Sequence, residues 1–167
     1  MSRITIISPT QNQFSGTLPD IGLGVQELYV GANKLSGAIP KFISNSSKLW
    51  GLDIGYNSFS GFIPSTLCAL TNLEILKLHT NNLTIDTSTP EANFVSCLAI
   101  NLTNLQTFTL TDNPLNATLP VSFGNLSTSL SNLGIRNCSM MVNIPDDIDN
   151  LSSLIFLDLG NNQLSLL

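Results

Sequence analysis

Leu28-Tyr29-Val30-Gly31-Ala32-Asn33-Lys34-Leu35-Ser36-Gly37-Ala38-Ile39-Pro40 is rewritten 24 residues later as Leu52-Asp53-Ile54-Gly55-Tyr56-Asn57-Ser58-Phe59-Ser60-Gly61-Phe62-Ile63-Pro64. The core of the pattern, L-x-x-L-x-L-x-x-N-x-L, occurs seven times in the chain. Its second apolar residue falls at positions 7, 28, 52, 76, 108, 133 and 157, giving steps of 21, 24, 24, 32, 25 and 24. A fixed period in this range predicts a solenoid, in which each repeat is one supersecondary unit that buries its apolar face against its neighbours. Within each copy the L-x-L pair alternates, so the leucines face one side of a short strand and the intervening residues face the other. Stacking the copies predicts one parallel sheet over a shared leucine core.

The asparagine has a separate role. After each strand the chain must turn, leaving backbone groups that the sheet no longer pairs. A carboxamide offers both donors and an acceptor to satisfy them. Asn12, Asn33, Asn57, Asn81, Asn113 and Asn162 are therefore read as a buried ladder, with Cys138 in the same slot of the sixth copy. Ligand binding is the competing role. A polar residue at a constant offset is better explained as a backbone device. Past the ladder, three copies continue Gly-x-Ile/Leu-Pro, at Gly16–Pro19, Gly37–Pro40 and Gly61–Pro64. Residues 117–120 and 142–145 keep the Pro without the Gly. Pro fixes φ and withholds a donor, and the segments after it, such as 41–47 and 146–152, are expected to be short helical or 3₁₀ turns.

Composition narrows the function. Of 167 residues 43% are hydrophobic and only 10% charged, with a net charge of −5. The chain has no basic stripe to neutralise phosphates, which argues against nucleic acid. Cys68, Cys97 and Cys138 are far apart, and His79 is the one histidine, so no metal site is expected. Cys68 reads as a small apolar core residue, with a Cys68–Cys97 disulfide left open. No cofactor is expected. A Gly-rich phosphate loop, a nucleophile elbow and a His-based pair are all missing, which argues against catalysis. No run of about 18 apolar residues is present to span a membrane, and the first residues read as repeat rather than signal peptide.

Binding is the remaining class, and the x positions of the strands would carry it. The candidates on this concave face are Tyr29, Asp53, Tyr56, Lys77, His79, Thr109, Asp112, Arg136 and Asp158. Aromatic side chains and Arg dominate binding hot spots, and Lys77, His79 and Arg136 could take carboxylates. Ordinary solvated surface is the alternative for each. Sequons occur at Asn45, Asn82, Asn101, Asn116, Asn125 and Asn150, with a poorer one at Asn137. An Asn- and Ser-rich repeat also generates them by composition. Asn45, Asn101 and Asn150 share one register, four residues before the next leading leucine, and this predicts a common outer edge.

The joined pattern L-x-x-L-x-L-x-x-N-x-L-S-G-x-I-P resembles the plant extracellular class of leucine-rich repeats, and most closely the ectodomains of plant leucine-rich repeat receptor-like serine/threonine kinases. The resemblance covers essentially the whole chain. It implies an α/β repeat solenoid: a horseshoe of about seven plant-type repeats, with a parallel concave sheet and an irregular or 3₁₀ outer face. The chain is expected to form one domain over residues 1–167, with an insertion at about 84–100 in the lengthened fourth repeat. The implied function is recognition of a peptide, a microbial pattern or a partner ectodomain on the extracellular side of the plasma membrane, in defence or developmental signalling. Membrane attachment would come only through a downstream helix. The resemblance also implies caps, a membrane helix and a kinase that these residues do not include, so the chain is expected to be an internal piece of a longer receptor. A kinase-less receptor-like protein and a secreted inhibitor of microbial pectin-degrading enzymes are the alternatives.

Overall fold

The computed structural model describes residues 4–89, 94–118, 120–143 and 146–165. Pro90 and residues 91–93 of the insertion, Leu119, and Ile144 with Pro145 of two proline steps lie outside them. In chain order the elements are β1 (Ile6–Ile7), β2 (Ser15–Gly16), β3 (Glu27–Tyr29), β4 (Lys34–Gly37), β5 (Gly51–Asp53), β6 (Ser58–Phe62), β7 (Ile75–Lys77), β8 (Asn82–Thr84), α1 (Phe94–Asn101), β9 (Thr107–Thr109), β10 (Asn132–Gly134), β11 (Met141–Asn143), β12 (Phe156–Asp158) and β13 (Gln163–Ser165).

Every L-x-L pair begins in one seven-stranded sheet of order β1-β3-β5-β7-β9-β10-β12. All its pairings are parallel, and the register places Leu28, Leu52, Leu76, Phe108, Leu133 and Leu157 in one row. Leu28, Leu52, Leu76, Phe108 and Leu133 are fully buried. Leu157, on the last strand of the sheet, is 40% exposed because no further strand covers it. A second parallel sheet, β2-β4-β6-β8, and the pair β11-β13 follow the ladder turns. The outer segments Lys41–Asn45, Ser65–Ala69, Val121–Asn125 and Asp146–Asn150 are 3₁₀ turns, as the proline steps predict. Pro40, Pro64 and Pro120 start three of them with φ of −69°, −72° and −71°, the value the pyrrolidine ring imposes.

Each ladder asparagine joins two repeats. Asn57 Nδ2 donates to its own Ile54 carbonyl (3.1 Å) and to Val30 of the preceding repeat (3.1 Å), while its Oδ1 accepts the Leu35 N–H of that repeat (3.0 Å). Asn81 repeats the set one copy on, with Ile54, Leu78 and the Phe59 N–H. Asn113 does so with Leu78, Leu110 and the Leu83 N–H, although the repeat before it is eight residues longer. Asn33 and Asn162 follow the same plan. Asn12, at the exposed edge, donates only to Pro9 and Thr10 of its own turn among the described contacts.

The residue before each ladder position adopts a left-handed backbone: Gln11, Ala32, Tyr56, Thr80, Asp112, Asn137 and Asn161 all have φ between 51° and 58°. None is glycine, and αL costs an ordinary L-residue of order 1 kcal/mol or more. The return is that the turn stays in the sheet's hydrogen-bond system. Ala32, Tyr56 and Thr80 donate to the carbonyls of Gly55, His79 and Thr111 in the next repeat. These N–H groups thus bond to the matching turn of the next repeat, beyond the strands, and the asparagines serve the carbonyls and the N–H groups on either side.

Cys138 fills its slot with different chemistry. Its Sγ lies 3.3 Å from the Leu110 carbonyl and 3.2 Å from that of Arg136. Burial pushes the thiol pKa up to about 11, so it stays a protonated donor. It supplies no strong acceptor for the Leu115 N–H, which bonds instead to the backbone carbonyls of Asn113 (2.8 Å) and Cys138 (3.1 Å). Cys68 departs from its reading as a plain core thiol. It is buried, but it is bonded to Cys97 of α1 with Cα atoms 6.1 Å apart. The insertion thus ends in a true helix, packed through Phe94, Val95 and Leu98. Phe94 meets Phe108 of β9 edge-on at 6.4 Å.

Two stability measurements follow. Asn81→Leu strands the Phe59 N–H and two carbonyls, each orphan costing about 1–3 kcal/mol, so urea unfolding should show a loss of several kcal/mol, against under ~0.5 kcal/mol for the exposed neighbour change Asn82→Ala. Equal losses would remove the ladder from its structural role. Cys97→Ser opens a loop of separation 29, for which chain entropy gives roughly 3–4 kcal/mol; an unchanged midpoint would refute that.

Candidate functional site: the open face of the long sheet

Alternation in the long sheet leaves one side chain per strand position facing away from the leucines. Repeat by repeat, the nine candidates fall on this face or on its turn edge. Tyr29, Asp53, Lys77, Thr109 and Asp158 are strand residues and half-buried. His79 is half-buried just beyond β7, Arg136 is exposed beyond β10, and Tyr56 and Asp112 are exposed on the left-handed turns.

The structure gathers six of them in the second to fifth repeats. Lys77 Nζ stands 3.8 Å from Asp53 Oδ2. Tyr56 meets the His79 ring edge-on, with centroids 5.0 Å apart at 89°. His79 Nδ1 shares a hydrogen bond with Thr109 Oγ1 at 3.2 Å. The flat packing depends on glycine. The His79 ring occupies the space a Cβ on Gly55 would need, and the Tyr29 hydroxyl does the same at Gly51. No reading of the sequence identified that dependence. The only signal was a Gly recurring at two x positions of the third repeat. Tyr29 is pushed up to about 12, first by burial and then by the neighbouring carboxylate of Glu27, which also hydrogen-bonds its hydroxyl.

Arg136 forms a second group, Nη1 lying 3.9 Å from Asp158 Oδ2, while Asp112 accepts a hydrogen bond from the Asn137 amide (2.9 Å). Two of the three groups expected to receive ligand carboxylates, Lys77 and Arg136, therefore already face an aspartate on an adjacent repeat. At these distances and exposures such pairs are worth only a few tenths of a kcal/mol, so they can exchange partners. No cluster of metal-binding side chains occurs among the described residues.

The sequon asparagines lie elsewhere. Asn45, Asn101, Asn125 and Asn150 end outer segments, Asn82 lies on β8, and Asn116 and Asn137 take left-handed turns. All seven are exposed.

Models of the leucine rich repeat match residues 24–83 and 104–126. Receptor-like protein 32 of Arabidopsis thaliana is 33% identical over 140 residues, covering 81% of this chain and 15% of that protein. Receptor-like protein kinase 7 of the same plant is 30% identical over 155 residues, covering 89% and 15%. Among solved structures, the Arabidopsis receptor kinase HAESA in complex with the peptide hormone IDA and the co-receptor SERK1 superposes with a TM-score of 0.81 at 30% identity, over 95% of this chain and 26% of that one. The chain spans less than one fifth of the length of the curated relatives it matches.

His79 supplies a pH measurement. Burial is the main cause that lowers its pKa below the usual 6.5, Lys77 adds to it, and Asp53 and Asp112 oppose it. A depressed folded-state pKa means that the unfolded chain binds the proton more readily. Stability is therefore intact above pH 6.5 and falls as pH drops through that value towards the folded pKa. Proton NMR of the single histidine should titrate below 6.5, and Gly55→Ala, which lifts the ring from its seat, should move the titration back up. A wild-type value at or above 6.5 would contradict this packing.

Proposed function

The chain belongs to the leucine-rich repeat family, in the form carried by plant receptor-like proteins and receptor kinases, and from that premise we propose that its open sheet face binds an extended peptide or a partner ectodomain outside the cell. The chain is a recognition module rather than a catalytic one. The observation that carries the binding reading is the convergence of Tyr29, Tyr56 and His79 around the Asp53–Lys77 pair, over Gly51 and Gly55. Rigid aromatic groups beside exchangeable charges are the usual composition of a binding hot spot. Parallel strands about 4.8 Å apart give a track on the order of 30 Å, enough for roughly nine extended residues.

Likeness to an ectodomain solved with a peptide hormone and a co-receptor supports both kinds of ligand. Within the receptor reading, kinase-bearing and kinase-less parents are equally compatible, since relatives of both names match the chain at similar identity. An exported protein suits the Cys68–Cys97 disulfide, because such bonds persist in oxidising compartments.

The test is selection of a phage-displayed random dodecapeptide library on the folded chain. Tyr56→Ala and Arg136→Ala should each weaken the recovered peptides about tenfold, equivalent to ~1.4 kcal/mol, while Phe62→Ala on β6, outside this face, leaves them unchanged. Peptides that bind all three variants equally would move the site off the open face.

A further inference from the structure

The described outer face consists of five stacked segments, and four of them end on an asparagine: Lys41–Asn45, Phe94–Asn101, Val121–Asn125 and Asp146–Asn150. The fifth, Ser65–Ala69, ends on Ala69. Each of the four asparagines is exposed. Each is followed by a buried residue, Ser46 (1% exposed), Leu102 (1%), Leu126 (2%) or Leu151 (4%), and then by Ser or Thr. The sequence register aligned only three of these sites. Asn125 is displaced by one residue in the sequence, yet it occupies the same place at the end of its turn.

We propose that Asn45, Asn101, Asn125 and Asn150 carry N-linked glycans, forming a column along one outer edge of the solenoid. The donor is a lipid-diphosphate-linked oligosaccharide. The asparagine side-chain nitrogen bonds to the anomeric carbon of the sugar, the carbon–oxygen bond to the diphosphate breaks, the lipid diphosphate leaves and the amide loses one proton. One amide hydrogen remains, which suffices for the bond Asn101 makes to the Cys97 carbonyl at 2.9 Å.

Transfer to the column precedes folding. The residue after each asparagine is locked in the core, so a transferase cannot extend the sequon once its repeat has closed. Asn125 is the most tightly closed. Its Ser127 is 5% exposed, and the Ser127 hydroxyl donates to the Thr103 carbonyl at 2.6 Å. Asn116 and Asn137 lie outside the column, on left-handed turns, and the proposal does not extend to them. At Ala69 the column is interrupted beside Cys68, where the disulfide crosses to Cys97.

The inference rests on an exported chain. Expression of all 167 residues behind a supplied secretion leader tests the column apart from both export and peptide binding. Glycopeptide mass spectrometry of the secreted protein should find sugar at all four positions. Ala69→Asn, which completes a sequon with Leu70 and Thr71, should add one glycan. An empty column position or a secreted Ala69→Asn protein of unchanged glycan number would each overturn the proposal and leave the peptide-binding reading standing. If the variant is not secreted, the wild-type map alone decides the four sites.

Discussion

A carboxamide that reaches two repeats at once is the constraint on which this solenoid depends. Each strand ends in a turn that must reverse the chain without leaving the sheet, and the left-handed residue before the asparagine achieves this. That geometry turns carbonyls inward, where water cannot solvate them. The asparagine then supplies two donors to carbonyls of adjacent repeats and one acceptor to an N–H. Buried polar groups are costly unless paired, so the asparagine, the turn and the spacing of the strands are one device. Cys138 shows how far it can be altered: with a thiol in the slot, main-chain carbonyls take over the role of the missing acceptor.

Once the inward residues are set by packing and the turn by the ladder, the outward strand residues carry no folding duty. This is why the candidate binding residues collect there. The freedom is not complete, however. Tyr29 and His79 lie flat only because Gly51 and Gly55 leave room, and Lys77 and Arg136 are each oriented by an aspartate one repeat away. The proposed recognition on this face would therefore be written in pairs of repeats rather than in single ones.

Much of the fold was legible because the repeat constrains spacing, and spacing survives in a linear string. The sheet, the slots of Asn33 to Asn162 and the proline-started outer turns all depend on offsets of a few residues. What could not be read depends on approach through space. Cys68 and Cys97 are 29 apart in sequence, and nothing in their flanks announces the bond. Residues as different as Ala32, Tyr56 and Asp112 share the left-handed turn, so no residue type marks it. On the open face the candidates could be placed by periodicity, but not their mutual contacts. The partnering of Lys77 with Asp53 crosses from one copy to the next, and only the register β5 to β7 brings them together.

The lengthened fourth repeat has a consequence for how the molecule comes apart. Because the ladder asparagines from Asn33 to Asn162 each bridge two neighbours, the free energy resides largely at the interfaces between repeats, and such arrays fray inward from their ends one unit at a time. The disulfide from the outer turn at Cys68 to the helix at Cys97 spans one of those interfaces. While the bond is intact, opening that interface releases less chain entropy, so fraying from either end is checked at the same place. The aromatic groups around Asp53 sit next to that stop, in the part of the solenoid that loses its order last.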